Sequence, residues 1–264
     1  MFGVIDADIL GFMANPILTV TDITKNYGEF QAVRGISFEV KHGEVFGILG
    51  PNGAGKTTTL EMIEGLRNID GGTIMLDGLN VAKDPWAVKE IIGVQLQSSS
   101  LFEGCTLVEL LTAFAAMYGA KANGMDLLEK VGLSDKAKSY PERLSGGQRQ
   151  RFSIAVALVH QPKVLFLDEP TTGLDPQARR HLWELVQQIQ KEGITVILTT
   201  HYMEEAQVLC DRIAIMDEGT IVALDTPKKL IDSLLKRGFK PHVEVQKATL
   251  EDVFIDLTGK ELRE

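Results

Sequence analysis

Cysteine is nearly absent from this chain, with two residues, Cys105 and Cys210, in 264. They stand far apart with neither CxxC nor Cys/His spacing, so neither a disulfide framework nor a zinc site is indicated. Two reduced thiols in a cytosolic protein is the simpler account. Long apolar runs are missing as well. No stretch reaches the roughly 18 uncharged apolar residues of a membrane span, so the chain is not expected to cross a bilayer. Positive charge is in deficit: 27 Lys and Arg stand against 36 Asp and Glu, a net charge of −9. That overall field repels phosphate polymers, and no nucleic-acid partner is expected. Gly and Pro are near average, which excludes collagen-like and low-complexity classes.

What is present is an ordinary globular composition over 264 residues. At roughly 150 residues per domain, it predicts one large domain or one domain with small subdomains. The first residues carry Asp6 and Asp8 inside an apolar run and lack a basic start, so they do not read as a signal peptide, and cytoplasm is the expected compartment. Residues 1–12 are set aside as an extension or a misassigned start. Ile17–Val20, Gly35–Val40, Gly43–Leu49 and Thr73–Gly78 read as strands of a β-rich N-terminal layer. From about 106 to 160, Leu107, Leu110, Leu111, Phe114 and Met117 recur at helical spacing, continued by Leu127, Leu128, Val131 and Leu133. Two apolar runs, Val164–Leu167 and Ile194–Leu198, flank a helical pattern from Pro176 to Gln190. Such runs fit parallel strands covered on both faces, joined as a βαβ unit. The predicted architecture is α/β with a helical insertion.

The chemistry is concentrated in three motifs. Gly50-Pro51-Asn52-Gly53-Ala54-Gly55-Lys56-Thr57-Thr58 fits GxxxxGK[ST] and lies between a strand and a helix, the context its mechanism needs. Backbone N–H groups and the helix N-terminus would cradle phosphates, Lys56 would neutralise them, and Thr57 would offer a hydroxyl to Mg²⁺. Val164–Leu167 ends in Asp168-Glu169, at the strand end where ligands meet open α/β sheets. Asp168 would hold Mg²⁺ through water, and Glu169 would polarise an attacking water. The third motif, Ser145-Gly146-Gly147-Gln148-Arg149, precedes a helical run. Alone it is equally an ordinary N-cap, but a second phosphate-seeking helix end in a chain with one cradle suggests a nucleotide shared between two chains.

Leu144-Ser145-Gly146-Gly147-Gln148, placed between the other two motifs, resembles the signature of ATP-binding-cassette (ABC) ATPases, and the similarity runs from about Ile17 to Leu230. The resemblance implies a P-loop NTPase core with an N-terminal antiparallel β subdomain and a helical subdomain at about 98–160. The cassette would span 15–235, between an N-terminal extension (1–14) and a short C-terminal tail (236–264). It further implies two cassettes sandwiching two ATP molecules, with Ser145, Gly146, Gly147 and Gln148 acting on the partner's nucleotide. The cradle would use Asn52, Gly53, Gly55, Lys56, Thr57 and Thr58, with Tyr27 stacking on adenine, although a tyrosine in such a turn is otherwise a packing residue. Gln97 resembles the glutamine that contacts Mg²⁺ and the attacking water; Gln95 competes, and the spacing to Leu101 and Thr106-Leu107 favours Gln97. His201 looks like the histidine on the γ-phosphate. Gly173-Leu174-Asp175 resembles the loop crossing the dimer interface, and Asp175 is equally the N-cap of the helix beginning at Pro176.

The stretch from Gln97 to Ser145 is too short for the long insertions of chromosome-maintenance relatives, and ribosome-acting relatives usually carry two cassettes in one chain. A transporter motor remains. Leu224–Pro227 and Thr249–Lys260 resemble the tail of drug-resistance-type exporter ATPases, although the segment between Leu230 and Thr249 is short. The reading is therefore an ATPase subunit, using ATP and Mg²⁺, of an exporter of drug-like or lipid-like compounds. It would lie on the inner face of the membrane through a separate polytopic permease and pair with a second cassette. An importer motor and a soluble ABC ATPase acting on a nucleoprotein are the alternatives.

Overall fold

A computed structural model describes residues 15–95 and 104–239. Ten strands in the described residues form two sheets. The first is antiparallel, ordered β2-β1-β4-β5, from β1 (Leu18–Tyr27), β2 (Phe30–Val40), β4 (Gly71–Leu76) and β5 (Leu79–Asn80). The second is ordered β10-β9-β3-β8-β7-β6, from β3 (Val45–Leu49), β6 (Ile92–Gln95), β7 (Val164–Asp168), β8 (Thr195–Thr200), β9 (Arg212–Asp217) and β10 (Thr220–Asp225). Its strands pair in parallel except for the antiparallel edge β10.

The strands β3 and β8 are buried at every position, the pattern expected when both faces are covered. Alternation then divides the core in two. Val45, Leu49, Leu165, Leu167, Val196 and Leu198 face the helical side, while Phe46, Ile48, Val164, Phe166 and Ile197 face the antiparallel sheet. The helical side holds α3 (Leu107–Met117), α4 (Gly124–Lys130), α5 (Gly146–Ala157), α6 (Pro176–Lys191) and α7 (Met203–Leu209). On the other side lies α1 (Lys56–Ile63), with α2 (Pro85–Ile91) leading into β6 and α8 (Pro227–Lys236) following β10.

The strand reading is too short at β1 and β2 and omits β5, β6, β9 and β10. β1 continues past Val20 to Tyr27 because it pairs with both β2 and β4, and a register shift near Asp22, at φ 52°, breaks the alternation that would have revealed it. The β9–β10 hairpin was not read from the sequence. Its signal is the two-residue turn Glu218-Gly219, with φ 44° and 79° between paired strands.

Parallel pairing brings the carboxyl ends of β3, β7 and β8 to one edge, where Leu49 pairs Thr200 and Asp168 pairs Thr199. Gly50 leaves that edge beneath β9, and a Cβ there would stand 2.2 Å from the Met216 carbonyl oxygen. Gly50→Ala should therefore lower unfolding free energy by about 1–3 kcal/mol through overpacking, read by urea unfolding; an unchanged midpoint and slope would contradict this packing.

Candidate nucleotide site

The loop after β3 turns into α1 through Gly55, at φ 97°, where a Cβ would meet the Ala32 carbonyl oxygen at 2.5 Å. Only glycine suits both the conformation and the approach. This brings Lys56 inward to 4% exposure. Its Nζ donates to the Gly50 and Pro51 carbonyls at 2.9 and 3.1 Å and stands 3.2 Å from Glu169 Oε1.

Thr57 Oγ1 donates to Asp168 Oδ1 at 3.3 Å, and the Thr199 hydroxyl donates to the same oxygen. Glu169 has φ 45°, a left-handed conformation that costs a non-glycine residue free energy. Its N–H donates to Thr199 Oγ1 and to the Thr199 carbonyl, at 3.0 and 3.2 Å, which holds the turn. Its carboxylate accepts from Thr172 at 3.3 Å and lies 3.1 Å from His201 Nδ1.

These groups border a cavity of about 360 Å³ lined by Tyr27, Phe30 and Ala32, by Asn52, Gly53 and Gly55 through Thr58, and by Glu169. Tyr27 and Phe30 are paired across the tip of the β1–β2 hairpin, and the Arg67 guanidinium lies 5.3 Å from the Tyr27 ring centre. A larger cavity of about 450 Å³ near Lys121 and Glu192 collects no comparable set of phosphate-binding groups.

Burial pushes the Asp168 carboxyl above its ordinary value, partly offset by the Thr199 and Thr57 hydroxyls. Burial also raises Glu169, but the hydrogen bonds and charges of Lys56 and His201 together outweigh it and hold that carboxyl below the ordinary range. Glu64, capping the end of α1 at 4% exposure, is pushed up to about 8, first by burial and then by the charges of Asp168 and Glu61.

Ser145 caps α5 reciprocally. Its Oγ accepts from the Gln148 N–H at 3.3 Å, while Gln148 Oε1 accepts from the Ser145 N–H at 3.1 Å. Ser145, Gly146, Gly147 and Gln148 do not line the cavity holding Lys56; a Cβ on Gly146 would approach Leu174 instead. Asp175 caps α6 through a 2.8 Å bond from the Ala178 N–H. The structure thus gathers Tyr27, Asn52, Gly53, Gly55, Lys56, Thr57, Thr58, Asp168, Glu169 and His201, and leaves the signature apart. Gln97 lies outside the described residues, as do residues 1–14 and the Thr249–Lys260 tail; Gln95 is buried at the end of β6. Sequence reasoning missed Thr199 and Phe30. Thr199 was visible only as a polar residue closing an apolar strand, and Phe30 only as the aromatic paired with Tyr27 across a Gly-containing turn.

A phosphate cradle between strand and helix, with two acids at the end of β7, one strand beyond the intervening β8, defines a P-loop ATPase. The sequence matches the ABC transporter family over residues 33–172. It is 45% identical over 223 residues to the linearmycin resistance ATP-binding protein LnrL of Bacillus subtilis, covering 83% of this chain and 72% of that protein. The Nod factor export ATP-binding protein I of Burkholderia orbicola is 38% identical over 295 aligned residues, covering 92% and 97%. That alignment is longer than this chain, so the relative carries residues without a counterpart here. Among solved structures, cbiO1 of Clostridium perfringens, part of the ABC transporter complex cbiONQ, superimposes with a TM-score of 0.75 at 32% identity, over 85% of this chain and 94% of that one. The chain belongs to the ABC transporter family and is one of its ATP-hydrolysing subunits. No helix of the described residues is long and apolar enough to cross a membrane.

Glu64 generates a prediction with a defined sign. A folded pKa near 8 against 4.5 means that its contribution is complete below about pH 4.5 and is lost as pH rises to about 8. Glu64→Gln should remove that loss, so urea unfolding curves of variant and parent should diverge across this window and run parallel above it. Equal slopes throughout would contradict the burial of this carboxyl.

Proposed function

We propose that this chain is the motor of an exporter, binding Mg-ATP in the cavity between Tyr27 and Glu169 and completing the site with the signature of a second cassette. The observation that carries this reading is the convergence of Lys56, Thr57, Asp168, Glu169 and His201 on one edge of the sheet, with Ser145–Gln148 outside that cavity.

Asn52, Gly53, Gly55 and Thr58 supply backbone N–H groups to the phosphates, and Lys56 supplies charge. Tyr27 offers its ring to the base. Thr57 and Asp168 present hard oxygen donors side by side, which suits Mg²⁺; they would hold it, Gln97 joining them, and the ion would neutralise charge on the phosphate oxygens. When phosphates take Lys56, Glu169 loses the larger of the two partners that depress its pKa. Its carboxylate then becomes a better proton acceptor for the attacking water. With Nδ1 against Glu169, His201 would offer its other ring nitrogen to a γ-phosphate. Ser145 and Gly146 at the α5 N-terminus would close the partner's site by the same physics.

Export is supported by two relatives, one named for Nod factor export and one for linearmycin resistance. In this reading a separate polytopic permease carries the selectivity, the compound being drug-like or lipid-like, and holds the chain at the inner face of the membrane.

Glu169→Gln should keep ATP binding, lower turnover on the order of 100-fold or more, and trap the ATP-bound dimer; parental turnover would remove Glu169 from the base role. Lys56→Ala should weaken ATP binding on the order of 30-fold or more, since truncating a buried charge pair costs about 2–5 kcal/mol, as read by calorimetry. Tagged Glu169→Gln protein recovered from membranes with ATP should bring a polytopic membrane protein with it. Recovery of ribosomal or nucleic-acid-bound proteins instead would overturn the transport reading.

A further inference from the structure

Glu205, on α7, is fully buried four residues beyond His201. A carboxylate withdrawn from water in this way is unfavourable unless its surroundings use it. Trp183 Nε1, from α6, donates to Glu205 Oε1 at 3.2 Å. The hydroxyls of Thr171 and Thr200 stand beside the carboxylate, and the Arg179 charge acts on it. Thr171 follows Glu169 by two residues, and Thr200 immediately precedes His201.

The surrounding groups belong to the same two turns. Thr200 Oγ1 accepts from the Tyr202 N–H at 2.9 Å, the Tyr202 ring lies 4.2 Å from the His201 ring, and the Arg179 guanidinium covers Tyr202 at 4.8 Å. Arg179 also reaches the Leu174 carbonyl at 3.4 Å. Yet Glu205 Oε2, Thr171 Oγ1 and Arg179 Nε are buried without a partner in hydrogen-bond geometry. Buried polar atoms left this way are rare, and three of them lie together behind the catalytic edge.

We propose that Glu205 is a positioning residue for ATP hydrolysis, tying α6 through Trp183 to the buried polar cluster on which the His201 turn and the Thr171 turn rest. The inference rests on the roles assigned above to Glu169 and His201. Glu205 is fully buried and acts through the backbone that aims His201.

The test is steady-state turnover and ATP affinity of the full chain as Glu205→Ala, Glu205→Gln, His201→Ala and the Glu205→Ala/His201→Ala double variant. Glu205→Ala should lower kcat on the order of 10-fold while ATP affinity changes by less than about 3-fold. Glu205→Gln, which keeps an acceptor for Trp183 and a polar partner for the threonines, should recover most of that loss. On the His201→Ala background, Glu205→Ala should cost less than about 2-fold more, as expected of residues acting as a unit. Parental kcat in Glu205→Ala with an impaired His201→Ala would overturn this inference alone, as would equal losses in the Ala and Gln variants or additive losses in the double variant. Parental kcat in His201→Ala would overturn the role of the histidine itself. If Glu205→Ala does not fold, Trp183→Phe decides: a kcat loss of about 2- to 5-fold that vanishes on the His201→Ala background supports the inference, since only one bond is removed, and an unchanged kcat overturns it.

Discussion

The ammonium of Lys56 is the charge on which the catalytic edge is organised. It is buried, and in this structure its partners are two carbonyls of its own loop and the Glu169 carboxylate. A buried cation must be paired, so the glycines that bring it inward and the acid that meets it are one constraint. Gly55 permits the turn, Met216 leaves no room for a side chain on Gly50 and Ala32 leaves none on Gly55, and the strained backbone of Glu169 is held by Thr199. In the proposed mechanism, anion exchange at Lys56 would join binding to chemistry: a phosphate that takes the lysine would also relieve the Glu169 carboxylate of the charge that lowers its pKa.

Parallel strand pairing supplies the rest. β3, β7 and β8 deliver the loop, the acid pair and the histidine to one edge because all three run the same way and are pinned in register by their neighbours. Their alternating side chains bind helices on one face and the antiparallel sheet on the other, leaving the chemistry at the strand ends. The signature helix packs in the helical layer with its capping box already satisfied within Ser145 and Gln148. Its position away from the Lys56 cavity is what a site built from two chains requires.

Much of this was legible in the sequence because the decisive residues are short-range patterns. Gly50–Thr58, Asp168-Glu169 and Ser145–Gln148 each announce a local conformation, and the buried runs at Val164 and Thr195 announce parallel strands. What escaped depends on contacts distant in sequence. β1 is prolonged past Asp22 by two partners, neither visible from its own alternation. Thr199 matters only because β7 lies beside it, and Glu205 only because α6 and two turns close over it. Glu64 is an acid at the end of α1 in the sequence, and its burial follows from the packing of that helix against β2, β7 and β8.

The most direct measurement is a crystal structure of the chain with Mg²⁺ and a non-hydrolysable ATP analogue. The expected result has the base on Tyr27, the triphosphate along Asn52 to Thr58, and the Lys56 ammonium transferred from Glu169 to phosphate oxygens. A triphosphate bound elsewhere, or a Lys56–Glu169 pair left intact beside bound nucleotide, would contradict the central place given to that lysine.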